Sequence, residues 1–146
     1  MSEHADASAM LNANLGGWNN AMGLRFTRAT PDGCIGELAI EAIHLQPYGI
    51  VHGGVHCGII EAACSTGAAL VALGRGQSVV GLENATSFIA AARGGKLVVT
   101  ATPVTRGRRT QVWQAVVTDE AGKTLSTGRV RLLCLEAGSE LGGKQV

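Results

Sequence analysis

HLQPYGIVHGGVHCGIIEAACSTGAALVAL, His44 to Leu73, begins as a loop with Pro47 and Gly49 and runs from His52-Gly53-Gly54 into a long apolar helix holding one acid, Glu61. An ionised group without partners is costly to bury and normally shifts its pKa or neutralises. A lone carboxylate here is therefore exposed at a cleft or chemically employed, and Glu61 is read as the centre of an active site. The helix, His52 to about Leu73, would be about 33 Å long, ended by Gly74 and Gly76. Val55, Ile59, Ile60, Ala62, Ala63, Ala69, Leu70, Val71 and Leu73 surround nearly its whole circumference, which predicts a helix buried on every side.

Upstream, Leu24 to Ala29 and Cys34 to Ala42 read as two strands joined through the turn residues Pro31-Asp32-Gly33, a hairpin. Ahead of them Ala7 to Leu15 suits a short helix, with Met10, Leu11 and Leu15 at helical spacing and Gly16-Gly17 as its end. Downstream lie four Val- and Thr-rich runs, Gln77 to Phe88, Lys96 to Thr105, Arg109 to Asp119 and Thr124 to Leu135, separated by turn residues. Two strands, one helix and four strands with short connections predict an α+β fold, an antiparallel sheet whose apolar face packs on the central helix. The expected partition is residues 1–23 as tail and short helix, 24–136 as the domain, and 137–146 as a flexible, Gly-rich tail.

A chain of 146 residues suits one domain with a substantial core. Net charge is +1 and the basic residues are not massed in one run, so nucleic acid is not suggested. Cys34, Cys57, Cys64 and Cys134 stand singly in apolar contexts, without CxxC or Cys/His metal spacing, and read as reduced core thiols. Apolar runs are interrupted by Gly, Ser, Thr or Glu before the roughly 18 residues of a membrane span, and the polar start MSEHADAS is unlike a signal peptide. No membrane association and a cytoplasmic location are expected.

The element order, the HGG at the helix head and an acid eight residues beyond Gly53 resemble the hotdog-fold acyl-CoA thioesterases of the phenylacetate-pathway type and the related 4-hydroxybenzoyl-CoA thioesterases. The resemblance covers roughly Leu24 to Glu136 and would make 24–136 a hotdog thioesterase domain of five to six strands around one helix. The family's loop of Asn or Gln followed by P-x-G-x-x-H-G-G stands here as Gln46-Pro47-Tyr48-Gly49-Ile50-Val51-His52-Gly53-Gly54, and its helical Asp or Glu falls on Glu61. The Gln46 and Glu61 pairing is nearer to the 4-hydroxybenzoyl branch.

The resemblance implies hydrolysis of an acyl-CoA to free acid and CoA. Gly53 would present its N–H to the thioester carbonyl at the positive end of the helix. Glu61 would act as general base or as nucleophile, and Gln46 would orient water or substrate. Ser65, one turn beyond Glu61, replaces the Thr of that branch and keeps a hydroxyl beside the acid. His52 is either a helix cap or a contact to the thioester, whereas His44 and His56 read as structural or interface residues. Gly54 and Asn84 are substrate-side candidates; the bland alternatives are a tight helix entry for the glycines, a loop amide for Gln46 and a hydrogen-bonded sheet residue for Asn84. Arg106, Arg108, Arg109 and Thr110 form a turn suited to the phosphates of CoA, with Arg93 and Lys96 as weaker candidates, and the pantetheine arm would run beside Gly81 to Phe88. No metal and no cofactor apart from the CoA of the substrate is called for.

Gly53 and Glu61 would stand about 12 Å apart along one helix, too far to share a carbonyl. By the resemblance, Gly53 and Gln46 of one subunit would meet Glu61 and Ser65 of another, giving a homodimer joined through edge strands and a homotetramer of two such pairs. Two other functions compete. His44 with Glu61 is loosely similar to the His and acid of hotdog dehydratases, although the HGG entry and the absence of DxNxxH argue against that reaction. A non-catalytic acyl-CoA-binding protein is the third reading, disfavoured by an intact Glu61. Five aromatic residues in the chain do not suggest an extensive stacking pocket.

Overall fold

The computed structural model describes residues 3–146. Two short helices, α1 (Ser8–Ala13) and α2 (Gly17–Met22), precede a hairpin of β1 (Arg25–Thr30) and β2 (Gly33–Ala39), then the long helix α3 (Gly53–Leu73). Four strands follow: β3 (Ser78–Phe88), β4 (Lys96–Arg106), β5 (Thr110–Thr118) and β6 (Thr124–Leu135). All six strands form one antiparallel sheet in the order β1-β2-β4-β5-β6-β3, and α3 packs against every one of them. This is the hotdog arrangement, with the sheet curled around a single helix. Because α3 separates β2 from β3 in sequence, β3 crosses to the far edge of the sheet and pairs only with β6.

Strand alternation explains the core. Leu97, Val99 and Ala101 of β4, Gln111, Trp113, Ala115 and Val117 of β5, and Val130, Leu132 and Cys134 of β6 all point at the helix and are buried. Trp113 packs against α3 at Gly67, where a Cβ would run into the indole ring. Its Nε1 donates to Gln111 Oε1 (2.9 Å), and Gln111 Nε2 donates to the Ala68 carbonyl (3.1 Å), so both buried polar side chains are partnered and β5 is tied to the helix backbone.

The expectation of a helix buried on every side is corrected. Cys57, Glu61 and Ser65 are half-buried and Ala69 and Leu73 are exposed, which at four-residue spacing makes one open strip along α3. The sheet covers most of the remaining circumference, and Glu61 stands on the strip it leaves. By length and composition α3 would qualify as a membrane-crossing helix, contrary to the expectation that its interruptions disqualify it. Packing against six strands accounts for that apolarity.

Other differences are local. Gly16-Gly17 do not only close a helix: with φ of 61° and 38° they turn the chain into α2, and Gly23 at φ 80° ends it. β2 stops at Ala39, ahead of a single 3-10 turn at Ala42–His44. The last ten residues carry a small hairpin, β7 (Glu140–Leu141) and β8 (Lys144–Gln145), around Gly142 and Gly143, both with positive φ as a two-residue hairpin turn requires. At the other end, Asp6 accepts hydrogen bonds from the N–H groups of Ser8 and Ala29, both at 2.9 Å, which fixes the segment before α1 onto β1. The four cysteines are free thiols. Burial pushes Cys34 up to about 11 and Cys64 to about 12, so both are inert, whereas Cys57 lies on the open strip rather than in the core.

Candidate active site

The loop that enters α3 is held from three directions. Val51 N–H bonds the Ala92 carbonyl (2.8 Å), His52 N–H the His44 carbonyl (2.8 Å), and Gln46 N–H the Ile50 carbonyl (2.8 Å). Gly49 turns at φ 73°, and the guanidinium of Arg93 donates to the carbonyls of Tyr48 (2.8 Å) and Gly49 (3.4 Å). Arg93 is therefore a clamp on this loop, and Lys96 pairs with Glu37 (3.0 Å), so neither weaker phosphate candidate is uncommitted. Gln46 turns its side-chain oxygen back to accept from Tyr48 N–H, leaving its amide nitrogen as the group it can offer.

His52 is the N-cap of α3, its Nδ1 accepting from Gly54 N–H at 2.8 Å. Gly54 fits because a Cβ there would lie 2.9 Å from that same nitrogen. Gly53, the first helical residue, donates its N–H to no acceptor among the described residues. The Phe88 ring lies directly over Gly53, 2.9 Å from where a Cβ would be, so any side chain at this position would strike it. Gln46, Gly53, His56, Phe88 and Ile89 line one cavity of about 410 Å³.

His56, one turn beyond Gly53, is a cavity residue that the sequence reading took as a structural or interface histidine. It is buried, its Nδ1 hydrogen-bonded with Ser126 Oγ (2.8 Å) and its ring edge-on to Phe88. Burial pushes its pKa below the ordinary histidine value. His44 is also buried, but both ring nitrogens are engaged by backbone: Nδ1 accepts from Glu41 N–H (2.9 Å), so Nε2 donates to the Met22 carbonyl (2.7 Å). No nitrogen remains for proton transfer, which removes the His44–Glu61 pair on which the dehydratase alternative rested.

Glu61 lies in a second cavity, of about 510 Å³, lined by Trp18, Asn19, Cys57, Gly58, Ala62, Ser65 and Asn84. Both of its oxygens are held. Ser65 Oγ donates to Oε1 (3.1 Å), as the one-turn spacing expects, and Asn84 Nδ2 donates to Oε2 (3.0 Å) and to the Cys57 carbonyl (3.2 Å). Thr86 Oγ1 in turn donates to Asn84 Oδ1 (2.7 Å), fixing which face of the amide points at the acid. A further residue belongs here that was not singled out: at Gly81 a Cβ would lie 2.7 Å from Glu61 Oε1, and the β3–β6 register slips between Gly81 and Glu83. An isolated glycine within a strand run is the available signal for such a bulge and close approach.

The arginine turn is more committed than expected. Arg106 pairs with Asp32 (2.8 Å), holding that carboxyl below the usual carboxylate range, and Arg108 pairs with Glu136 (3.4 Å). Arg75, outside the expected cluster, donates to the carbonyls of Arg106 (3.0 Å) and Gly107 (3.2 Å). Arg109 and Thr110 are exposed beside them. One chain thus brings together Glu61, Ser65 and Asn84 in one cavity and Gln46, Gly53 and His56 in another, while the arginine turn contributes to neither.

A helix carrying a held carboxylate and an unspent N–H at its head, inside a hotdog sheet, defines a class of thioester-cleaving enzymes. The family model described as the thioesterase superfamily matches residues 48–126, more than half of the chain, and the chain belongs to that superfamily. It is 40% identical over 139 residues to a Mycobacterium tuberculosis protein provisionally named an esterase, Rv1847, covering 94% of this chain and 99% of that one. The solved structure of AziG from S. sahachiroi superposes with a TM-score of 0.81 at 42% identity, over 84% of this chain and 99% of the other. A 1,4-dihydroxy-2-naphthoyl-CoA hydrolase of Listeria monocytogenes is 38% identical over 89 residues, 61% of this chain and 71% of the relative. The protein is a thioesterase of the hotdog fold.

Proposed function

We propose that the enzyme hydrolyses an acyl-CoA thioester, within a homodimer whose two sites each take Gln46 and Gly53 from one subunit and Glu61, Ser65 and Asn84 from the other. The observation that carries this reading is the pairing of a doubly held carboxylate with an unspent helix N-terminal N–H in separate cavities of one chain. β3 supports the dimer: it is an edge strand of 11 residues, largely exposed, with Leu82 and Phe88 open to solvent. CoA as the carrier is favoured by the relative named a 1,4-dihydroxy-2-naphthoyl-CoA hydrolase.

In this reading the thioester carbonyl oxygen accepts from Gly53 N–H, where the helix dipole favours the negative charge developing in the transition state. Glu61 takes a proton from water as the water oxygen bonds to the carbonyl carbon. The C–S bond then breaks, CoA leaves as thiolate, and the proton passes from Glu61 to the sulfur. Attack by Glu61 itself would give an anhydride that water then opens; a single turnover in heavy-oxygen water leaves label on Glu61 only by that route. Arg109 and Thr110 are the groups of the arginine turn still open to the CoA phosphates, and His52 supports the site by capping the helix that aims Gly53. The enzyme is read as a cytoplasmic homotetramer of two such dimers, with no resident cofactor.

The test is thiol release from short, medium, long and aryl acyl-CoAs by wild type and by Glu61→Gln, with fold and assembly checked for both. Hydrolysis by wild type with a loss of about a hundredfold or more in the variant is expected for an acid–base group. No hydrolysis of any member by wild type would overturn the reading.

A further inference from the structure

The Glu61 cavity has one wall that the proposed chemistry does not use. α2, absent from the sequence expectation, brings Trp18 and Asn19 to the mouth of the cavity. Trp18 is 62% exposed, against 0% for Trp113, so a large apolar ring stands open beside the acid. Its position is built rather than incidental. Positive φ at Gly16, Gly17 and Gly23 brackets the helix, Met22 is buried at 2% exposure, and the Met22 carbonyl is held by His44 Nε2 at 2.7 Å. Trp18 lies one turn before Met22, on the same face of α2. On the opposing helix, Gly58 has no side chain, and a Cβ there would lie 2.9 Å from Met22 Sδ and 3.2 Å from Trp18 Nε1.

Gly58 thus gives its side-chain space to Met22 and the Trp18 indole, which seats the ring against α3 in the cavity that also holds Glu61 and Ala62. Flat conjugated groups gain from stacking on such a ring beyond the area they bury, and saturated chains do not. We propose that Trp18 is the specificity-determining residue of this thioesterase, selecting acyl groups that are planar next to the thioester carbonyl, aryl ones above all. This rests on the hydrolysis proposed above and assigns the substrate class to the same site. The five aromatic residues of the chain are few, yet Trp18 lines the Glu61 cavity and Phe88 the Gly53 cavity.

The experiment measures kcat/KM for benzoyl-CoA and hexanoyl-CoA with wild type, Trp18→Ala and Trp18→Phe, melting temperatures being taken alongside. The benzoyl-to-hexanoyl ratio should fall about tenfold in Trp18→Ala and recover most of that in Trp18→Phe, as loss and retention of an aromatic contact require. A second readout does not depend on turnover. In a Glu61→Gln background, benzoyl-CoA should quench tryptophan emission saturably, and the same titration with Trp18→Phe added should show none, because Trp113 is wholly enclosed. A ratio unchanged by Trp18→Ala, or quenching that survives Trp18→Phe, overturns the role of Trp18 while leaving hydrolysis standing. Failure of wild type to hydrolyse either thioester or any other overturns the thioesterase reading and this one with it.

Discussion

Glu61 is the one acid on α3, and its two oxygens are each assigned to a different donor, Ser65 from the same helix and Asn84 from β3. Ser65→Ala and Asn84→Ala should each lower kcat several-fold to about tenfold with KM little changed, since orientation rather than the base itself is lost. Gly81→Ala is a sharper probe. The added methyl meets only the end of the Glu61 side chain, so kcat should fall while the urea midpoint stays near wild type. His56 gives a pH dependence to stability. Its pKa is depressed in the folded state, so the unfolded chain binds the proton first as pH falls below the ordinary histidine value of about 6.5. Stability is full above that value and falls with acidification until the folded-state pKa is passed, by at most about 1.4 kcal/mol per pH unit. Melting temperatures from neutral pH to pH ~5 should show this slope, and His56→Gln should flatten it. Glu61 and Ser65 were legible because a lone acid in an apolar helix and a hydroxyl one turn on are local patterns. Asn84, although singled out, carried no sign of its partner, and Gly81 and Trp18 reach the acid only through tertiary packing.

At the scale of elements, α3 and β5 meet where Gly67 faces Trp113. Gly67→Ala gains helix propensity but drives a methyl into a ring that cannot move, and overpacking of this kind costs about 1–3 kcal/mol. A lowered urea midpoint with unchanged m-value should report it. The strands were readable from period-two Val and Thr runs and their turn residues, and β3 through β6 fall within a residue or two of expectation. What sequence periodicity could not give was α2, six residues with a glycine at its start and an apolar face too short to show a helical repeat. It also treated the helix as apolar all round, because Cys57, Ala69 and Leu73 on the open strip look the same in sequence as cysteine, alanine and leucine in the core. The pairing within the arginine turn was hidden for a related reason: a run of cations is visible in sequence, while Asp32 and Glu136, which pair with Arg106 and Arg108, are distant along the chain.

For the whole molecule, the decisive property is that neither cavity of a single chain holds both the N–H that would polarise the carbonyl and the carboxylate that would activate water. Catalysis by the proposed route therefore requires two copies. Gly53→Pro removes the N–H and presses its ring on Phe88, changes confined to the Gly53 half of the site, while the backbone accepts it because proline is tolerated at the first helical position and His52 already has the extended ψ of 135° that proline prefers before it. Glu61→Gln removes the base alone. Each variant by itself should be nearly inactive. In a dimer formed from one of each, one site carries both changes and the other neither. The measurement to make first is thioesterase activity after co-refolding the two inactive variants at equal concentration. Recovery to about a quarter of the wild-type rate, the share expected when half the dimers are mixed and each has one intact site, is the predicted result. Activity no greater than that of the two variants kept apart would contradict a site shared between subunits.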